Sequence, residues 1–535
     1  MPSITLSDQQ HPIEQGQTLF EVADLLGVHL PSSCRRDGSC HECIVQIDAG
    51  MDSLSPRTDE EAFLSDPYRL ACEATVISDA QDIAVSVMAR RPQILTQTAA
   101  TDVIFEPRTL RQGDTIVRDG EVIDSYRDGV YGLAVDLGTT TVVAHLVDLE
   151  SGERVYTTAF ENPQTFGGSD VLHRIKYDTD SGHSGELRKV VVGHLNAEIR
   201  RMPIKRVQIY EMAVAGNATM RDLFFGLDVT SLGQKPFWSQ TETAVRGGDL
   251  PTTSLSVAPK ETDLLMNRRG VVYGVPLVAC HVGADTAAAM LATQMHNSDE
   301  ITMLVDIGTN TEIVVGNKDR LIAASSPAGP AFEGGGIRAG MPGLEGAIER
   351  VWWEGDRAEF SVIGDVAPRG VCGSGLVDAM AELRRHEVID TMGRFGDGGE
   401  EYLLSETPRV ALGREDISEL SQAKAATYAG QKILLRELGV GFEDVAKVYV
   451  AGGFANYLNL ENAIAIGLMP SIPVERMIKV GNASLEGVTQ IVCSKDRLAQ
   501  VEELVRGVEH VELEEQSDFF DIYVDGCFLE PMMMM

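Results

Sequence analysis

The stretch Met303-Leu-Val-Asp-Ile-Gly-Thr-Asn-Thr-Glu-Ile-Val-Val315 decides how the rest of this chain is interpreted. Its apolar start predicts a strand that ends at Asp306, and its apolar end predicts a returning strand, with a tight Gly-Thr-Asn-Thr turn between them. Backbone N–H groups and hydroxyls of such a turn can bind phosphate oxygens. A carboxylate at the strand end can hold a hard cation. The stretch therefore predicts one half of a nucleotide site.

Nearly the same device occurs upstream, in Leu133-Ala-Val-Asp136-Leu-Gly-Thr-Thr-Thr141-Val-Val-Ala144. Two such hairpins facing each other would enclose a nucleotide and its metal ion. A third element, Val448-Tyr-Val-Ala-Gly452-Gly453, reads as a strand that ends in a glycine pair. Adenosine could pack there, because glycine leaves room that a side chain would fill. Mixed strands and helices around two related hairpins predict a duplicated α/β fold.

Length, composition and charge limit the other function classes. A chain of 535 residues is too long for one hydrophobic core. The net charge of −35 opposes binding to nucleic acid, whose phosphates would be repelled. The sequence has no apolar run of about 18 residues, the length that a membrane helix needs, and no basic segment followed by an apolar one at its start. We therefore expect a cytoplasmic protein without nucleic-acid or membrane partners.

Half of the eight cysteines lie close together near the N-terminus, at Cys34, Cys40, Cys43 and Cys72. Their spacing is C-x5-C-x2-C, with 28 residues between the third cysteine and the fourth. Four thiolates arranged in this way can hold the two bridged irons of a [2Fe–2S] cluster. A structural zinc site is the alternative, but such sites usually combine two short C-x2-4-C pairs, and Cys72 has no near partner in sequence.

The cysteine segment also resembles a known family. Its x5 spacing is similar to that of adrenodoxin-type ferredoxins, which have the β-grasp fold. Arg35, Gly38 and the phrase Arg69-Leu-Ala-Cys72 strengthen that likeness. We expect an α+β β-grasp ferredoxin domain at residues 1–90 that passes electrons through its cluster.

The remainder divides into a linker and a large domain. Proline and glycine interrupt residues 91–128, which we interpret either as a semi-flexible tether or as a packed interdomain segment, with short strands at Val103–Phe105 and Ile116–Val122. Residues 129–535 are expected to form the ATPase domain, with a first half at about 129–270 and a second half at about 271–535. No G-x4-G-K-[ST] phosphate loop is present, so the domain is not a Walker-type NTPase.

The two hairpins and the later Gly-Gly pair resemble the acetate and sugar kinase, heat-shock chaperone and actin superfamily, which implies a ribonuclease H-like fold. The whole chain resembles the reductive activators of corrinoid enzymes. The phrases that carry this likeness, besides the hairpins, are Ala215-Gly-Asn-Ala-Thr-Met220, Pro330-Ala-Phe-Glu-Gly-Gly335, Cys372-Gly-Ser-Gly375 and Ala451-Gly-Gly-Phe454. The resemblance implies that the ferredoxin domain passes one electron to a Co(II) corrinoid, that ATP is used, and that Co(I) is restored for methyl transfer.

The implied cofactors are the [2Fe–2S] cluster, ATP and Mg²⁺. The implied partners are a corrinoid protein of a methyltransferase system and an external low-potential electron donor, and a homodimer is a further family-level expectation.

Roles for individual residues follow from their chemistry. Asp136 and Asp306 are expected to hold Mg²⁺, directly or through water. Glu312 and Glu333 could each position a water molecule or serve as a structural hydrogen-bond acceptor. The residues expected to bind phosphate are Gly138, Thr139, Thr140 and Thr141 in the first hairpin and Gly308, Thr309, Asn310 and Thr311 in the second, with Gly452 and Gly453 beside adenosine.

Other functions remain open at this point. A metabolite kinase with an accessory ferredoxin would need a substrate pocket that the sequence does not reveal. An electron-transfer or interaction protein without hydrolysis is disfavoured by the intact Asp136 and Asp306 hairpins. An activator like those of 2-hydroxyacyl-CoA dehydratases would hold a [4Fe–4S] cluster at a dimer interface, whereas the four N-terminal cysteines suit two irons.

Overall fold

A computed structural model describes residues 2–6, 9–88, 104–180, 182–453 and 455–532. The expectations for linker residues 91–103, for Phe454 and for the last three methionines lie outside this range. The described residues form two compact units. The first contains the chain up to residue 88, Phe105–Val275 and Ile491–Lys495, and the second contains Pro276–Gln490 and the described residues after Lys495.

The strands are Ser3–Leu6, Gln9–Pro12, Ile44–Ala49, Tyr68–Leu70, Ile83–Val87, Thr109–Gln112, Thr115–Arg118, Glu121–Ser125, Tyr131–Leu137, Thr141–Asp148, Arg154–Glu161, Ile209–Ala215, Leu255–Val257, Val271–Gly274, Thr302–Ile307, Thr311–Gly316, Leu321–Ser326, Ala347–Glu354, Arg357–Val362, Gly370–Val371, Glu401–Glu406, Arg409–Gly413, Lys447–Ala451, Met477–Gly481 and Val508–His510.

The α-helices are Leu19–Leu25, Val171–Thr179, Glu186–Arg201, Ala218–Phe225, Gln240–Gly247, Ala284–Thr293, Gly373–Arg385, Arg414–Leu438, Leu460–Ala465, Ala483–Cys493, Lys495–Leu504 and Phe519–Gly526. Within the part of the chain that the structure describes, no helix is long and apolar enough to cross a membrane.

The N-terminal domain is a five-stranded mixed sheet with one helix against it, as the β-grasp expectation requires. Its first strand, Ser3–Leu6, pairs in parallel with the last, Ile83–Val87, in the middle of the sheet. Thr18 caps the helix by accepting a hydrogen bond from the backbone N–H of Glu21, whose carboxylate accepts from the N–H of Thr18. This reciprocal cap fixes where the helix begins.

A buried ion pair holds the segment that carries the fourth cysteine. The guanidinium of Arg69 donates to both carboxylate oxygens of Glu61, from Nε at 2.7 Å and from Nη2 at 2.9 Å. Glu61 also accepts from the backbone N–H of Leu70 at 2.8 Å, and both charged side chains are almost fully buried. Paired and hydrogen-bonded on both sides, these charges fix the backbone two residues before Cys72.

The first unit contains the sheet of the upstream hairpin. Three antiparallel strands, Tyr131–Leu137, Thr141–Asp148 and Arg154–Glu161, continue into Ile209–Ala215, which pairs in parallel with the first of them. Val271–Gly274 pairs in parallel with Ile209–Ala215. The sheet therefore includes residues 271–274, and this stretch of the first unit ends at Val275.

The second unit repeats this topology. Thr302–Ile307, Thr311–Gly316 and Leu321–Ser326 form the antiparallel part, while Lys447–Ala451 and then Met477–Gly481 add parallel strands beside the first. Burial explains the sequence pattern, because Met303–Val305 and Ile313–Val315 form continuous apolar runs that are buried on both faces of the sheet. The duplicated α/β architecture predicted from the two hairpins is confirmed.

Part of the expected linker is folded. Thr109–Gln112, Thr115–Arg118 and Glu121–Ser125 form a three-stranded antiparallel sheet in the first unit. Asp119 and Gly120 both have positive φ at the turn between the second and third strands. An Asp-Gly pair is a strong signal for a type I′ hairpin turn, so the sequence did contain a pointer to this sheet.

A short segment from late in the sequence, Ile491–Lys495, also belongs to the first unit. The backbone N–H of Glu106 donates to the carbonyl of Cys493 at 3.0 Å, and the N–H of Lys495 donates to the carbonyl of Glu106 at 2.9 Å. Val492 lies against Gly132, where a Cβ would approach its Cγ1 to 2.3 Å. Residues 491–495 thus belong to the first unit, although they follow most of the second in sequence.

We predict that Glu61→Gln lowers the free energy of unfolding of the ferredoxin domain by about 3–5 kcal/mol, because it leaves the buried Arg69 guanidinium without a counter-charge. Denaturant titrations followed by cluster absorbance measure this loss. Asp66→Asn is the matched control, since Asp66 pairs with Arg57 at the surface and exposed pairs contribute at most about 1 kcal/mol. Equal effects of the two substitutions would contradict the role given to the buried pair.

Candidate functional site

The four N-terminal cysteines are brought together in two pairs. The Cys43 and Cys72 sulfurs lie 3.4 Å apart, and Cys34 is hydrogen-bonded to Cys40. All four are free thiols. In the described residues, no group of three or more His, Cys, Asp or Glu side chains has the geometry to hold a single metal ion. Two pairs of thiols suit the two bridged irons of a [2Fe–2S] cluster, which four cysteines hold. A structural zinc ion instead needs all four ligands around one metal centre.

The surroundings favour the thiolate form at Cys34 and Cys72, whereas burial raises the pKa of Cys40. The Cys43–Cys72 hydrogen bond raises the pKa of Cys43 and lowers the pKa of Cys72, as when two thiols share one proton. Burial opposes ionisation of Cys34, yet hydrogen bonds led by the one to Cys40 lower its pKa. The backbone N–H of Arg36 points at the Cys34 sulfur from 3.2 Å. Backbone donors of this kind stabilise thiolates and tune iron–sulfur clusters.

The first hairpin is closed by its own backbone. The N–H of Gly138 donates to the carbonyl of Thr141 at 3.0 Å, and a Cβ on Gly138 would lie 2.7 Å from that oxygen. Asp136 lies at the end of the incoming strand, opposite Val143. The predicted phosphate-binding residues 138–141 therefore form one tight turn, in which position 138 leaves no room for a side chain.

Two asparagines that the sequence analysis did not assign hold this turn from outside. Asn162 Nδ2 donates to the carbonyl of Gly138 at 2.8 Å, and the Asn162 N–H donates to the carbonyl of Thr140 at 2.7 Å. Asn217 Nδ2 donates to Thr139 Oγ1 at 2.9 Å, and Asn217 Oδ1 caps the helix Ala218–Phe225. Asparagine immediately before a helix is an N-cap signal, which could have marked both residues, since Asn162 also caps a short helix.

The second hairpin has the same closure. The N–H of Gly308 donates to the carbonyl of Asn310 at 3.1 Å. Thr309 Oγ1 donates to a carboxylate oxygen of Glu333, and Thr427 Oγ1 donates to Thr311 Oγ1 at 3.2 Å. Of the two roles considered for Glu333, the hydrogen bond from Thr309 agrees with that of a structural acceptor.

Glu312 lies at the start of the returning strand, directly across the ladder from Asp306. Burial, together with the nearby charges of Asp285 and Asp306, raises the pKa of Glu312 well above its usual value. Ser325 Oγ donates to its Oε1 from 3.1 Å. Three neighbouring carboxyl groups repel one another, and a bound cation would relieve that repulsion.

The glycine pair adjoins the second hairpin. Asp306 pairs with Ala451 in the parallel ladder, so Gly452 follows at the same sheet edge. Gly452 has φ +116°, and a Cβ there would lie 2.2 Å from the carbonyl oxygen of Ile307. Around Gly453, a Cβ would meet no atom within 4 Å among the described residues other than its chain neighbours. The first glycine is thus required by the backbone, whereas the second borders open space.

The structure therefore gathers the predicted residues into three places. The cysteines form one, and Asp136 with residues 138–141 forms another, both in the first unit. Asp306, residues 308–312 and the glycine pair form the third, in the second unit. That the two hairpins enclose one nucleotide between them stays a prediction.

Comparison with known proteins identifies all three parts of the chain. Residues 4–76 match the family model of the 2Fe-2S iron-sulfur cluster binding domain. Residues 131–298 match the RACo middle region, and residues 300–535 match the C-terminal domain of RACo, the ASKHA domain.

Individual relatives match most or nearly all of this chain. The chain is 28% identical to the corrinoid activation enzyme RamQ of Eubacterium limosum, over 97% of each protein. It is 25% identical to the [Co(II) methylated amine-specific corrinoid protein] reductase of Methanosarcina barkeri, over 74% of this chain and 76% of that protein. Among solved structures, the reductive activator for corrinoid,iron-sulfur protein matches with a TM-score of 0.71 and 29% identity, over 99% of each chain.

These matches confirm the resemblance inferred from the cysteines, the hairpins and the glycine pair. Because consecutive RACo models take up residues 131–298 and 300–535, with a 2Fe–2S domain before them, the chain belongs to the RACo family.

Proposed function

We propose that this protein is an ATP-dependent reductive activator of a corrinoid protein that takes part in methyl transfer. The observation that carries the proposal is the joining, in one chain, of paired cluster thiols and two phosphate-type hairpins. A relative that covers 97% of the chain is named for corrinoid activation, and one that covers 74% of it is named for reduction of a Co(II) corrinoid protein.

Cys34, Cys40, Cys43 and Cys72 would hold the [2Fe–2S] cluster, which would supply one electron to reduce the partner's Co(II) to Co(I). An external low-potential donor would then supply another electron to the oxidised cluster. Such a transfer runs uphill when the cobalt couple lies below the cluster. For one electron, about 59 mV is a factor of ten in the equilibrium constant, so a gap of about 300 mV costs about 7 kcal/mol. A nucleotide can offset this only by binding two states of the complex with different affinity.

The residues of the chain take separate parts in nucleotide binding. Asp136 and Asp306 hold Mg²⁺, directly or through water. The turns at 138–141 and 308–311 donate to phosphate oxygens. The space beside Gly453 takes adenosine. Glu312, whose pKa is raised by burial and neighbouring carboxylates, positions the water only after a cation has lowered that pKa.

ATP hydrolysis, the external donor, a homodimer and a cytoplasmic location all belong to this proposal. The cytoplasmic location agrees with the free cysteine thiols, which a reducing environment keeps from forming disulfides.

Our first functional prediction is that the reduced holoprotein, MgATP and a Co(II) corrinoid protein together produce Co(I), seen by its absorbance. Asp306→Asn should slow this at least about a hundredfold, because the metal–phosphate contact is lost in the step it supports. It should leave the cluster spectrum unchanged. Gln46→Ala, on an N-terminal strand, is the control.

No ATP-dependent Co(I) with any corrinoid partner would overturn the proposal. Phosphorylation of a small metabolite would indicate the kinase alternative, and ATP binding without turnover would indicate the non-hydrolysing one.

The glycine pair gives a second prediction. Gly452→Ala should destabilise the second unit by several kcal/mol, since a Cβ collides with the Ile307 carbonyl at a positive φ. Gly453→Ala should preserve the melting temperature and weaken binding of an ATP analogue, because it intrudes only on open space. Calorimetry and titration with a non-hydrolysable analogue measure both. Unchanged analogue affinity in Gly453→Ala would place adenosine elsewhere.

A further inference from the structure

The ferredoxin domain docks on the middle region within the first unit, and its cluster loop forms part of the contact. His41, between two of the cluster cysteines, has Nδ1 2.5 Å from Glu186 Oε2. Its ring stacks on Phe63 with centroids 4.1 Å apart. Tyr177 donates its hydroxyl hydrogen to the carbonyl of Phe63 at 2.6 Å. Glu186 and Tyr177 both belong to the middle region, so the loop is held from two sides.

A glycine in a helix makes the close approach possible. Glu42 of the cluster loop is 5% exposed and lies against Gly193, in the middle of the helix Glu186–Arg201. A Cβ on Gly193 would approach Glu42 Cγ to 2.5 Å and Oε1 to 2.9 Å. Glycine destabilises the interior of a helix. Its presence at position 193 is explained by the close contact with Glu42, which leaves no room for a Cβ.

A row of aromatic rings continues the contact into the middle region. Phe63 meets Phe166 edge-on at 5.8 Å between centroids, and Phe166 meets Tyr177 edge-on at 5.5 Å. Tyr177 stacks on His183 at 4.6 Å. Phe166 is 6% exposed, so it forms the buried centre of the row.

Phe166 belongs to the same short turn as the asparagine that holds the first hairpin. We call residues 162–167 the coupling turn: Asn162 is its N-cap, and Pro163–Gly167 form a 3-10 helix. Asn162 contacts Gly138 and Thr140, and Phe166, four residues later, contacts the ferredoxin domain.

The turn also reaches the docking helix. Gln164 Nε2 donates to the carbonyl of Leu187 at 3.2 Å, next to the Glu186 that holds His41. Asn162 and Gln164 are fully buried. Arg174, buried on the following helix, donates to the carbonyl of Gly168 at 3.0 Å and so fixes the turn's exit. A turn this enclosed cannot shift at one end without moving at the other.

We propose that the coupling turn links nucleotide binding at the first hairpin to docking of the ferredoxin domain, so that each favours the other. Asn162 holds Gly138 and Thr140 in the closed shape to which phosphate binds, and the same turn presents Phe166 to Phe63. Preorganisation of a binding loop raises its affinity. By linkage, docking then raises nucleotide affinity by the factor by which nucleotide favours docking. The inference rests on the proposed nucleotide site and adds its regulation.

Two variants separate docking from the hairpin. Gly193→Ala places a methyl group against Glu42 and suits its helix, because alanine is the better helix former. Phe166→Leu keeps an apolar side chain but removes the ring from the row. Phe225→Leu is the matched control, since Phe225 packs on Phe224 at the end of another helix of the same unit.

The experiment uses the cluster-loaded full chain and measures two quantities. Hydrogen exchange read by mass spectrometry reports docking through the amides of residues 61–66 and 186–194. Titration with a non-hydrolysable ATP analogue and Mg²⁺ gives the dissociation constant.

In the unchanged protein, the analogue should slow exchange at residues 61–66. Gly193→Ala and Phe166→Leu should each speed exchange there and weaken analogue binding at least about fivefold, while the control stays within about twofold. Either variant that undocks the domain with analogue affinity unchanged would overturn the proposal. So would the absence of any effect of the analogue on residues 61–66, or the failure of both variants to undock the domain.

Failure of the proposed function has a different signature. If the unchanged protein does not bind the analogue at all, the nucleotide site is wrong, and the coupling falls with it. If it binds the analogue normally and only the exchange changes are missing, the site stands and the coupling alone is wrong.

Discussion

The site in the second unit depends on the register of one parallel ladder, between Thr302–Ile307 and Lys447–Ala451. Because Asp306 pairs with Ala451, the carboxylate and the glycine pair arrive at the same sheet edge. A slip of one residue would turn each side chain to the opposite face and would bring a side chain where Gly452 now meets the Ile307 carbonyl. The buried apolar residues of both strands, Met303–Val305 on one and Val448, Val450 and Ala451 on the other, stabilise this register over its alternatives.

Local patterns were enough to predict the architecture and much of the candidate site. Each hairpin is encoded by a dozen consecutive residues, and the cluster cysteines are recognised by spacing, so their identification needs little long-range information. Asn162 could not be assigned in this way, because its bond to Gly138 spans 24 positions and depends on how a later turn packs. Of the sheet at 109–125, short strands were expected only at Ile116–Val122, and Thr109–Gln112 was not assigned, because the strands are only four or five residues long.

Charge burial gives the ferredoxin domain a rigidity that its small size would not otherwise provide. A domain of fewer than 90 residues buries a modest core, and the Glu61–Arg69 pair adds a fixed point next to Cys72. The docking contacts of His41 and Glu42 lie on the opposite stretch of the cluster loop, between Cys40 and Cys43. The cysteines are thus positioned from two directions, one within the domain and one from the middle region.

The packing of Ile491–Lys495 in the first unit has a consequence for how the chain folds during synthesis. The first unit is complete only after Lys495 has been made, because Glu106 takes its backbone partners from residues 493 and 495. The intervening segment Pro276–Gln490 takes roughly 10 to 40 s to translate at about 5–20 residues per second. Until then, the N-terminal part of the nascent chain lacks the backbone partners of Glu106 and the Val492 side chain that packs against Gly132. A truncated chain that ends at Val275 would keep both defects permanently.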